Sequence, residues 1–79
     1  MHVLFMVTRG SGDPTGASIP LHLAANGTVE VGDQASVVLA GDATEYLTAD
    51  ALERAEGVGV PPLRDLVAKL RDHEVPVYV

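Results

Sequence analysis

The order of apolar runs and helical stripes predicts an α/β fold: a parallel sheet in a three-layer α/β/α arrangement, with helices on both faces. Three observations carry this. Residues 2–8 and 35–40 are nearly continuous apolar runs, as in strands buried on both faces, where a hairpin strand would alternate. The stretch between them repeats apolar residues at helical spacing. A strongly amphipathic segment after Pro61-Pro62 then leads into a third β-rich run at 75–79.

The first strand, 2–8, ends at Arg9-Gly10-Ser11-Gly12. Asp13-Pro14 supplies an N-cap residue and a proline at the first helical position, and Ala17, Leu21, Ala24, Ala25 and Thr28 follow along one face. Pro20 falls inside that pattern and predicts a kink or a separate first turn, while Ile19 and Leu23 widen the apolar stripe. Gly32-Asp33 is a turn, and 35–40 is the second strand, ended by Gly41-Asp42. Asp42 is placed to cap a helix from Ala43, with Glu45 at its third position in an aspartate form of the capping box. Thr48 offers a second cap before Ala51, Leu52 and Ala55, so this helical region is short or broken, and 56–60 is a loop. Leu63, Leu66, Val67 and Leu70 fall at i, i+3, i+4 and i+7, which defines the clearest helix. Pro76 opens the third strand, where a missing amide donor costs least.

Seventy-nine residues make one small domain, 1–79, and a three-stranded parallel sheet ending at Val79 leaves open edges and a thin covering layer. The sheet is therefore expected to be incomplete or finished by a partner. Eleven acidic side chains against five basic ones give a net charge of -6 and a pI near 4.7, which argues against nucleic acid or an anionic membrane as partner. A mean hydropathy of +0.22 without any membrane-length apolar run, and with no basic flank before the first strand, predicts a cytoplasmic, soluble chain. Asn26-Gly27-Thr28 fits the glycosylation sequon but lies in a predicted helix, where it reads as coincidence.

Cysteine is absent, which removes a disulfide framework, a thiolate metal site and a cysteine nucleophile from these residues. His2, His22 and His73 have no metal-ligand spacing, so neither metal nor cofactor is expected. Gly10 to Gly16 stands between strand and helix as a dinucleotide loop would, but Thr15 holds the place of the third glycine, and no Lys-Ser or Lys-Thr pair completes a phosphate loop. Ligands of open parallel sheets bind beyond the carboxyl ends of the strands, which here selects Thr8, Arg9, Gly10, Asp13, Gly41 and Asp42 as candidate ligand-binding residues. Asp13 and Asp42 double as helix caps in this reading.

Taken together, 3–8, Asp13-Pro14-Thr15, 22–25, 39–43 and 59–63, closing on 75–79, resemble the DsrE/DsrF-like family of small sulfur-relay proteins over nearly the whole chain. The resemblance implies a parallel α/β sheet of more strands than these, assembly into homo-oligomers, and a sulfur-carrier protein as partner. It also implies a persulfide-bearing cysteine just after the strand matching 75–79; these residues contain none, so no catalytic residue is carried over. Gly16 stands where relatives are expected to have a larger, often basic, residue. Three readings follow: the N-terminal portion of a DsrE-like domain whose cysteine loop lies after Val79, a cysteine-free binding or assembly subunit, and an unrelated nucleotide- or small-anion-binding α/β protein.

Overall fold

A computed structural model of the chain describes residues 1–79, the side chain of Ala49 left aside. Strands β1 (His2–Val7), β2 (Gln34–Leu39) and β3 (Val77–Tyr78) pair in parallel in the order β1-β2-β3. Between β1 and β2 run α1 (Pro14–Leu23) and a π-helical stretch, Ala24–Thr28. A 3-10 helix (Gly41–Leu47), α2 (Ala49–Arg54) and α3 (Leu63–Asp72) separate β2 from β3. The α/β class and the parallel sheet are as the sequence predicts.

The layers differ from expectation. Parallel register sets Leu4 beside Ser36, Met6 beside Val38 and Val38 beside Tyr78, so these side chains share one face of the sheet. On that face Leu4 is 60% exposed, Met6 59% and Tyr78 57%. The opposite face carries Val7, Ala35, Val37 and Leu39, all buried under Ala17, Leu21, Leu63, Leu66 and Leu70. Among the described residues, then, the helices cover one face, and the expected three-layer arrangement is a two-layer one. The strand order supplies the reason. Right-handed crossovers put helices on opposite faces only where the order reverses direction, and β1-β2-β3 runs one way throughout.

For the same reason β1 is not buried on both faces: it is an edge strand with one bare side. The third strand is shorter than 75–79, although the Pro76 carbonyl still accepts from the Val37 amide at 2.9 Å. Pro20 does not divide α1. The helix runs through it and loosens instead into the π-helical stretch after Leu23. Lys69 ties that stretch to α3 by donating to Asn26 Oδ1 at 2.6 Å and to the Glu30 carboxylate. Thr48 caps α2 as expected, its hydroxyl accepting from the Ala51 amide at 3.4 Å.

Candidate functional site

At the carboxyl ends of the strands, the loops after β1 and β2 meet backbone to backbone. A methyl group on Gly41, whose φ is 57°, would stand 3.7 Å from the Thr8 carbonyl oxygen. A methyl group on Gly10 would stand 2.6 Å from the Asp42 carbonyl oxygen and would collide with the Glu45 carboxylate. Gly10 is therefore required by close approach. Gly10→Ala should lower unfolding free energy by about 1–3 kcal/mol, the usual cost of forcing extra volume into a packed site, read from urea denaturation.

Thr8, Gly10, Gly41 and Asp42 are thus brought together, while Thr8, Arg9, Asp13, Gly41 and Asp42 are exposed. Arg9 has no ion-pair partner among the described residues. Two amides of the loop, those of Ser11 and Gly16, are held by the chain's own carboxylates. Asp13 caps α1, its Oδ1 accepting from the Gly16 amide at 3.0 Å, as the sequence predicts. Asp42 does not cap: the 3-10 helix follows Ala40 with no side-chain cap, because its first turn tightens directly out of β2. Glu45 does not close a capping box either. It reaches across to accept from the Ser11 amide. Ser11, through its backbone amide first and its side chain second, holds the Glu45 carboxyl below its ordinary value.

A carboxyl depressed in the folded state stabilises above its ordinary value of 4.5, and that contribution disappears as pH falls through the lower folded value. Stability measured from pH 7 to pH 3 should fall more steeply in the wild type than in Glu45→Gln; parallel curves would contradict the Ser11 contact.

Tyr46, in the same 3-10 helix, is buried, and its hydroxyl has no hydrogen-bond partner. Burial pushes its pKa up, with the negative charges of Glu45 and Asp13 adding to the effect. Removing an unsatisfied buried hydroxyl relieves its desolvation cost, so Tyr46→Phe should raise stability by about 1 kcal/mol, visible as a higher Tm.

The loop 56–60 docks on the start of α1, where the Val58 amide donates to Thr15 Oγ1 at 2.9 Å. The histidines stand apart. His2 Nε2 lies 2.7 Å from Ser36 Oγ, His22 Nδ1 lies 3.0 Å from Asn26 Nδ2, and His73 Nδ1 lies 2.9 Å from the Lys69 carbonyl. No group of three metal-ligating side chains forms among the described residues.

Sequence reasoning missed a cavity of about 520 Å³ on the helix-covered side of β2 and β3, walled by Leu39, Tyr46, Leu52, Val67 and Val77 among others. None of the candidate strand-end residues lines it. Its one sequence signal was Leu47, an apolar residue outside every predicted stripe and strand. A ligand crevice at strand ends belongs to the point where strand order reverses, and this sheet has no such point. No family model matches the chain, and no curated protein or solved structure matches it. No helix is long and apolar enough to cross a membrane.

Proposed function

We propose that the chain is a DsrE-like assembly domain that joins a second copy through the bare face of its sheet, serving sulfur relay as a docking subunit for a sulfur-carrier protein in the cytoplasm. Any persulfide belongs to a cysteine outside these residues. The observation that carries the assembly reading is the open face of Leu4, Met6 and Tyr78 beside the half-buried Val38, shared with His2, Gln34 and Ser36, which bears no aspartate, glutamate, lysine or arginine in a chain of net charge -6. An apolar patch in an otherwise acidic surface marks an interaction site, and a sheet face pairs well with another sheet face about 10 Å away. The parallel β-α-β order supports the DsrE-like part. The carboxylates of Asp13 and Glu45 on the Gly16 and Ser11 amides speak for assembly over small-anion binding, since they place negative charge beside the loop that an anion would approach.

The face is small. At ~3.3 Å per residue and ~4.8 Å between strands it covers about 20 by 14 Å, below the ~800 Å² per partner of a standard stable interface. The expected result is a rapid, weak monomer–dimer equilibrium at hundreds of micromolar in sedimentation velocity. Because the contact is uncharged and the rest of the surface repels, added salt should tighten it. A monomer at millimolar concentration, or dissociation by salt, would overturn the reading.

A further inference from the structure

The open face of the sheet carries one imidazole. Parallel register sets His2 on the same side as Leu4, Met6, Gln34, Ser36 and Tyr78, and His2 Nε2 lies 2.7 Å from Ser36 Oγ, a bond that turns the ring toward that face. We propose that His2 is a pH switch for the stacked pair, which forms with neutral imidazoles and comes apart in mild acid. The switch depends on the stacking of the two open faces and supplies its regulation. Histidine alone among the ordinary side chains changes charge between about pH 5 and 8, whereas tyrosine, the other titratable type on this face, does so near pH 10.

In the single chain His2 is exposed, and water solvates its ring in either form. In the stacked pair a two-fold axis brings one imidazole from each chain against apolar surface, where a charged ring loses hydration that a neutral ring does not need. The ionisable groups around His2 are the Met1 ammonium and Asp33, paired with each other at 3.2 Å, and His73 and Glu74, which line a crevice with it and follow α3, the helix of the opposite face. Carboxyl groups ordinarily titrate near pH 4, so His73 and the amino terminus are the neighbours that could respond in mild acid. Net charge pulls the other way. Protonating histidines lessens a net charge of -6, so the general repulsion between chains falls, and by itself acid would tighten any contact. Weakening in acid therefore reports a charge inside the contact.

The test is sedimentation velocity of the 79-residue chain at hundreds of micromolar, from pH 7.5 to pH 5.5 at constant salt, with circular dichroism recorded alongside. The expected result is a dissociation constant that rises about tenfold or more across this range, the linkage of an association in which each chain gives up one proton, while the ellipticity stays constant. His2→Gln carries no charge at any pH and should hold its pH 7.5 affinity, or tighten, down to pH 5.5. His22→Gln, on α1, should respond as the wild type does. Wild-type association that is unchanged or tighter in acid would overturn the switch. The same acid weakening in His2→Gln would also overturn it, passing the role to His73 or the amino terminus, as would dissociation that runs in parallel with loss of ellipticity, which is acid unfolding. A wild type that is monomeric at pH 7.5 would refute the stacked pair itself and the switch with it, a result distinct from association without pH dependence.

Discussion

Leu66→Asp is expected to leave the chain unfolded at 25 °C. Leu66 is 2% exposed and stands on the buried stripe of α3 between Leu63 and Leu70, which are equally enclosed. At ~0.05–0.15 kcal/mol per residue, a domain of this length holds about 4–12 kcal/mol of stability in total. Truncating a buried leucine alone removes about 2–5 kcal/mol, and an unpaired carboxylate in the same place adds a desolvation cost that the neighbouring aliphatic side chains cannot relieve. The margin is consumed. Far-UV circular dichroism of the variant should show a disordered chain, with Leu66→Ala folded but less stable by about 2–5 kcal/mol. A Leu66→Asp variant with native ellipticity and a cooperative melt would mean that α3 does not cover the sheet as described.

Met6→Glu is expected to do the opposite: to leave the fold intact and abolish self-association. Met6 sits on the bare side of β1, so a glutamate there remains solvated in the monomer, and surface substitutions of this kind usually change stability by about 0.5 kcal/mol or less. Across a two-fold interface the same substitution brings two carboxylates, one from each chain, into an apolar contact. Sedimentation velocity should give a monomer at concentrations where the wild type is mostly dimer, with unchanged circular dichroism. Unchanged association would move the contact away from this face. The contrast between the two variants is informative because both introduce one carboxylate, one on the helix buried against the covered face of the sheet and one on its open face.

How far the sequence led can be judged on particular elements. Asp13-Pro14 and the α3 stripe were legible because caps and 3.6-residue periodicity are local properties, and both occur where expected. The layer arrangement was not, because it depends on strand order, and nothing local in His2–Val7 says that β1 pairs only with β2. Its apolar run read as burial on both faces; half of those side chains instead form the open surface. Asp42 and Glu45 were assigned local capping roles, yet Glu45 serves a residue 34 positions earlier, a contact set by how two strand-end loops meet. Of the candidate site residues, the fold brings Thr8, Gly10, Gly41 and Asp42 together, outside the cavity described above. The cavity escaped notice because its walls come from both helical segments after β2, from α3 and from β3, and only tertiary packing assembles them.

In the proposed assembly the bare sheet face of one chain meets that of another. This contact is tested most directly by an isotope-filtered NOE experiment on a mixture of carbon-labelled and unlabelled protein, which records only contacts between chains. Intermolecular cross-peaks are expected from the methyl groups of Leu4, Met6 and Val38 and from the Tyr78 ring, fading on dilution. Cross-peaks from the outer side of α1, at Ile19 and Leu23, with none from Leu4 or Met6, would contradict it.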